Sequence, residues 1–409
     1  MKTTMAGVRQ VPIARPVIGE SEMRAVQRPL ASGWLTQGPE VAAFEKEFAE
    51  YTGAPHACAV SNCTTALHLA LRAVGISAGD EVITVSHSFI ASANAIRYCG
   101  AVPVFVDIQP GSYNMDAARI EAAITARTRG ILVVHQLGMP CDLEPIVEIA
   151  RRRGLRLVED AACAAGSEIL WRGQWERIGR PHGDIACFSF HPRKVMTTGD
   201  GGMLTTGNAE WDRQFRLWRQ HSMTVADTER HGASTVVFEE YSELGFNYRM
   251  TDLQAAVGRE QLIRLPEMVA ERRRLARCYS EILAGIGGLQ VPVEPAWARS
   301  NWQSYCVRLP KARDQRAVMQ SMLNAGIATR RGVMCAHREP AFRSEPWRCV
   351  SASGVVDGSD QCSSLSESEA ITAHGLILPL FVGMTDDDQG RVVAALASAL
   401  DEQSESLCR

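Results

Sequence analysis

A chain of 409 residues is longer than one hydrophobic core usually fills, which predicts two domains in one compact subunit, divided at residues 1–265 and 266–409. Hydrophobic residues make up 46% and charged residues 22%, the balance of a soluble globular enzyme, and a net charge of −3 without a long basic stretch excludes a nucleic-acid-binding protein. The 12 cysteines are scattered without a CxxC pair or metal-ligand spacing, and no apolar run approaches the ~20 residues of a membrane span, so the chain reads as a cytoplasmic protein with free thiols, no metal and no membrane partner.

Residues 40–53 carry Val41, Phe44, Phe48 and Tyr51 on one helical face, and Gly53 and Pro55 stop that helix. A strand over 56–60 leads into Ser61-Asn62-Cys63-Thr64 and a helix over 65–74. Strands follow at 81–85, 102–106, 130–134 and 155–159, separated by helices near 92–98, 115–124 and 143–153. Strands alternating with helices of this length predict a largely parallel sheet covered on both faces. A further strand near 203–206 precedes a helix over 209–220, and the polar stretch 222–244 reads as a surface loop. A helix over 251–262 is predicted to break at Pro266, with a long charged helix over 268–286 leading to the second domain. That domain carries a strand at 305–309, a helix over 313–325 and a terminal helix over 385–399. Between them, the Ser-rich stretch 344–368 reads as an exposed loop.

Lys194 lies in Phe188-Ser189-Phe190-His191-Pro192-Arg193-Lys194, just before Gly199-Asp200-Gly201-Gly202. Asp160 ends an apolar strand 34 residues earlier, about the length of a crossover between neighbouring strands. A lysine in a Gly-rich turn with an aspartate at a strand end suggests an imine-forming site. The amine would hold an aldehyde cofactor, and the carboxylate would keep a ring nitrogen protonated. Taken singly, Lys194 would be a solvated side chain, and Asp160 could as well cap a helix over 161–165. Cys63 and Thr64 stand where a strand passes into a helix, where free N–H groups attract phosphate; the simple alternative is an N-cap. Phe89 follows a strand on the side where ligands bind in such sheets, and could stack on a planar ring or fill the core. Asn247 and Arg249 precede a helix that they could cap, or they could reach a phosphate across a subunit interface.

Together these segments, with Gly33-Trp34-Leu35-Thr36-Gln37-Gly38-Pro39, Gly79-Asp80-Glu81-Val82-Ile83 and residues 245–256, resemble the DegT/DnrJ/EryC1/StrS family of sugar aminotransferases over most of the chain. The resemblance implies the α/β fold type I architecture, with a seven-stranded, mostly parallel sheet between helices and a smaller C-terminal α/β domain. It implies pyridoxal 5'-phosphate held as a Schiff base on Lys194, Asp160 at the pyridine nitrogen and Phe89 on the ring face. Cys63, Thr64 and Ser189 would hold the phosphate, with Asn247 supplied by the second copy of a homodimer. Cys63 replaces a usual glycine, Cys163 a usual glutamine or histidine beside the cofactor's phenolic oxygen, and Asp200 a usual glutamate.

The implied reaction moves an amino group from an amino acid, usually L-glutamate, to a keto-sugar, here a nucleotide-linked 3- or 4-keto-6-deoxy sugar. Lys194, with its pKa lowered by burial and neighbours, would serve as nucleophile and then as base. A keto-cyclitol acceptor and a non-catalytic regulatory protein on the same fold are the alternatives. A sugar dehydratase of the related branch would carry histidine at Lys194. A cysteine desulfurase would need a nucleophilic cysteine on a mobile loop, for which Cys349 and Cys362 are the candidates.

Overall fold

The structure, a computed structural model, describes residues 9–225, 235–236, 238–351, 354–358 and 362–407. The short apolar runs form strands β1 (His56–Val60), β2 (Glu81–Val85), β3 (Val102–Val106), β4 (Thr128–Val134) and β5 (Arg156–Asp160). A small hairpin, β6 (Glu168–Trp171) and β7 (Gln174–Arg177), precedes β8 (Ile185–Ser189) and β9 (Gly202–Thr206). Seven of these lie side by side in the order β1-β9-β8-β5-β4-β2-β3. The run from β3 to β8 is parallel, while β9 is antiparallel to both β8 and β1. Strands β2, β8 and β9 are buried along their whole length, as expected where helices cover both faces of a sheet.

On one face, α3 (Pro39–Thr52) packs against α8 (Asp252–Leu283); α1 (Glu20–Ala25) and α2 (Gln27–Ser32) lie against α8. Phe44 and Phe48 of α3 meet Phe188 and Phe190 at centroid distances of 5.0–5.6 Å, which supports the start of the Lys194 turn from below. Each such ring pair contributes about 1 kcal/mol beyond burial of its area. On the other face lie α4 (Cys63–Ala73), α5 (Ala91–Tyr98) and α7 (Ala209–Trp218). α6 (Leu143–Arg153) buries Leu143, Ile146 and Ile149 in the same core as α3.

A second core gathers Leu275, Tyr279 and Leu283 of α8 with β11 (Tyr305–Arg308), α9 (Gln315–Asn324), β15 (Gly375–Leu378) and α11 (Asp386–Leu407). β11 and the short β12 (Arg330–Arg331) flank β15; the remaining short strand, β10 (Ala298–Arg299), pairs with β6. Among the described residues no helix is long and apolar enough to cross a membrane.

Five expectations change. The large sheet has nine strands, because β13 (Arg348–Ser351) adds in parallel to β3 and β14 (Gly354–Asp357) pairs with β13. The Ser-rich stretch is therefore not simply an exposed loop: Trp347, Cys349, Cys362 and Leu365 bury against Phe105 and Phe342. Its last three residues begin α10 (Ser366–His374), and Arg348 pairs with the fully buried Glu81 at 2.7 Å. Cys349 and Cys362 form a disulfide, so the cysteines are not all free; nine others are free thiols among the described residues. The helix at 115–124 is two 3-10 turns, Ala117–Arg119 and Glu121–Ala123, a segment too short to repay α-helix nucleation. Finally, α8 runs unbroken through Pro266. The one hydrogen bond proline cannot donate is offset by burial of Leu262, Leu265, Met268 and Val269 on either side, and the division at 265/266 falls inside this helix. Part of the polar loop 222–244 lies outside the described residues.

Candidate active site

The carboxyl ends of β5 and β8 and the start of α4 meet above the sheet. Asp160 pairs with Cys187 in the β5–β8 register and is 5% exposed. Residues 161–165 form turns rather than a helix, so Asp160 is not a helix cap. Its Oδ1 accepts from the Ala162 N–H at 3.1 Å, and its Oδ2 accepts from the Ser92 hydroxyl at 2.7 Å. Ser92 Oγ lies 2.9 Å from Ser88 Oγ. Ser92 has no signal in a single sequence, being a serine on an Ala-rich helix. Its role emerges only once α5 is laid beside β5.

The Lys194 turn leaves β8 through Ser189. The Ser189 hydroxyl accepts from the His191 N–H at 3.4 Å, the Lys194 N–H donates to His191 C=O at 2.8 Å, and the Thr198 N–H donates to Phe190 C=O at 3.0 Å. These bonds fold the chain back so that the Lys194 amine donates to Cys163 Sγ at 3.1 Å. Burial pulls Lys194 down, but its contact with Cys163 and the Asp160 carboxylate outweigh it, and the amine is held above the ordinary lysine range. The expected lowering is therefore absent in the protein alone, because an acidic neighbourhood favours the ammonium form. Cys63 lies within electrostatic reach of Lys194, Cys163 and Asp160, so the four form one cluster.

Cys63 is the first residue of α4 and stands apart from the residues with positive φ, so a side chain is tolerated where glycine is usual. Asn62 is the cap: its side chain accepts from the Thr65 N–H at 3.0 Å. The N–H groups of Cys63 and Thr64 have no partner among the described residues, the arrangement at a helix start that favours an anion. Gly202 of β9 permits this approach, since a Cβ there would lie 2.5 Å from the Asn62 carbonyl carbon and 2.8 Å from the Cys63 nitrogen. Burial pushes the Cys63 thiol well above the ordinary range, so it is a neutral lining group.

Phe89 is 63% exposed, which removes the core alternative. Its carbonyl accepts from the Ser92 N–H at 3.2 Å, which ties the ring's backbone to the Asp160 support. Asn247 is exposed, and its Oδ1 accepts from Arg249 Nε at 3.2 Å within its own chain. Neither caps the helix that follows; Thr251 does so, through a capping box with Gln254. Cys349 and Cys362 are buried and bonded to each other, which removes the thiol a desulfurase would need.

The chain matches the model of the DegT/DnrJ/EryC1/StrS aminotransferase family over residues 16–397. It is 39% identical over 402 residues to GDP-perosamine synthase of Caulobacter vibrioides, covering 97% of this chain and 100% of that protein. Among solved structures it resembles the aminotransferase TlmJ of Streptoalloteichus hindustanus, with a TM-score of 0.85 at 32% identity over 96% of this chain and 100% of that one. It also resembles S. venezuelae DesV, solved in complex with a ketimine intermediate, with a TM-score of 0.84 at 32% identity over 96% and 99% of the two chains.

Proposed function

This chain belongs to the DegT/DnrJ/EryC1/StrS aminotransferase family, and from that premise we propose that it moves an amino group from L-glutamate to a nucleotide-linked 3- or 4-keto-6-deoxy sugar, with pyridoxal 5'-phosphate bound at Lys194. Similarity to GDP-perosamine synthase, whose name denotes a nucleotide-linked amino sugar, supports the acceptor class. The observation that carries the reading is the cluster of Lys194, Asp160 and the open start of α4 at the carboxyl ends of β5 and β8.

The residues fit the cofactor. The free N–H groups of Cys63 and Thr64, with the hydroxyls of Thr64 and Ser189, suit a phosphate, and Gly202 leaves room for the helix start beside them. Asp160, braced on both oxygens, suits a protonated ring nitrogen, and exposed Phe89 offers an aromatic face. Pyridoxal phosphate supplies an aldehyde that takes up amines and a ring that accepts electrons. The protein's part is positional. Lys194 Nζ would hold the aldehyde, and its free amine would carry a proton to and from the reacting carbon. Cys163 Sγ fixes the direction of that amine. Asp160 helps to hold Lys194 as ammonium, so a cation that engages Asp160 shifts Lys194 towards the basic form.

A homodimer with shared sites follows the family pattern, with Asn247 facing the second copy's phosphate; its exposure supports that role. The test is an assay with L-glutamate and a panel of keto-sugar nucleotides, reading amino-sugar product by mass spectrometry. The expected result is glutamate-dependent amine on a GDP- or TDP-linked 4-keto-6-deoxy or 3-keto-6-deoxy sugar. Mixing inactive Lys194→Ala and Asn247→Ala chains should restore part of the activity. No product with any panel member, from protein loaded with cofactor, would contradict the acceptor assignment; turnover of a keto-cyclitol instead would replace it.

A further inference from the structure

The loop 299–304 lies far from Lys194 in sequence, yet it touches both turns that build the site. Gln303 Nε2 donates to the Arg193 carbonyl at 3.0 Å, one residue before Lys194. Asn301 Nδ2 donates to the carbonyls of Cys163 and Ala165, each at 2.8 Å. The two are joined, because the Gln303 N–H donates to Asn301 Oδ1 at 2.9 Å. One short loop thus grips the Lys194 turn with one amide and the Cys163 turn with the other.

The loop is held at a cost that its own stability does not explain. Trp302 has φ of 50°, in the left-handed region that disfavours any residue but glycine. Arg272 of α8 is buried, and its guanidinium donates to the carbonyls of Trp302 at 2.9 Å and Gln303 at 2.6 Å. No carboxylate pairs with it among the described residues, and burial pulls it down to about 9. A buried cation satisfied only by carbonyls is costly, and here it is spent on fixing two loop residues. Arg273 adds a bond to Ser300 C=O at 2.8 Å. Opposite, Gly138 is required, since a Cβ there would lie 2.0 Å from Asn301 Oδ1.

We propose that loop 299–304 is a clasp for catalysis, in which Gln303 and Asn301 are positioning residues that set the contact between Lys194 and Cys163. The proposal rests on the reading of Lys194 as the reacting amine. Reach decides the matter: an amine that must hold an aldehyde and then move a proton within one cleft loses rate when its turn drifts by about 1 Å. The clasp acts on backbone carbonyls, so it controls where the two side chains start from, not their chemistry.

The test uses the full chain with Gln303→Met, which keeps size but removes the donor, and Gln303→His, which restores an N–H donor that is uncharged at the alkaline pH of the measurement. Gln303 is half-exposed, so neither change threatens the core. With the cofactor removed, labelling of the Lys194 amine by an acylating reagent is followed across pH by peptide mass spectrometry. The clasp predicts a labelling midpoint that falls in Gln303→Met towards the ordinary lysine range, because the amine drifts from the thiol that helps to raise it. It predicts recovery of the parent midpoint in Gln303→His. In the cofactor-loaded enzyme, kcat should drop about tenfold in Gln303→Met with KM values within about twofold. An unchanged midpoint, or a fall in melting temperature and kcat without a shift in midpoint, overturns the clasp. A shifted midpoint in a protein that never transaminates leaves the clasp standing and overturns the proposed function instead.

Discussion

Asp160 accepts hydrogen bonds on both oxygens from within its own chain, and that is what fits it to hold a cation in a fixed place rather than to cap a helix. Asp160→Asn should therefore lower kcat about a hundredfold or more while the melting temperature moves little, since an amide cannot keep a ring nitrogen protonated. If the variant instead loses about 1 kcal/mol of stability and keeps its turnover, the residue serves only the turn at Ala162. Lys194 and Asp160 were legible because their types and spacing carry chemistry in the chain itself. Ser92, Asn301 and Gln303 were not. Each is a common polar residue on an unremarkable segment, and each acquires meaning from a partner 68, 138 or 110 residues away.

At the scale of elements, the start of α4 and the edge of β9 are one device. The helix end offers free N–H groups, and Gly202 lets the strand come close enough to hold that end in place. Gly202→Ala should force the Asn62–Cys63 backbone away. We expect a cost of about 1–3 kcal/mol, read as a lower melting temperature, together with faster loss of the cofactor in dialysis. A variant with parent-like melting and retention would mean that β9 does not shape the anion site. The strand–helix alternation that builds these elements was plain in the sequence, down to boundaries within a few residues for α6 and β5. Its failures share a cause. Pro266 signalled a break that flanking burial overrode. The Ser-rich stretch hid two strands and a disulfide, because their support comes from Phe105 and Glu81, both distant in the chain.

At the scale of the molecule, two cores meet along α8, whose first half packs on the sheet and whose second half joins the C-terminal strands and helices. This helix carries Arg272 and Arg273, so the rod that joins the cores also braces the loop that reaches Lys194. The central claim is that Lys194 is the amine through which this aminotransferase works. It is tested most directly by loading the protein with pyridoxal phosphate, reducing it with borohydride and mapping the labelled peptide by mass spectrometry. The account predicts one pyridoxyl group per chain, on Lys194, with the visible band of the loaded protein lost on reduction and no label in Lys194→Ala. A label on another lysine, or full turnover in Lys194→Ala, would contradict it.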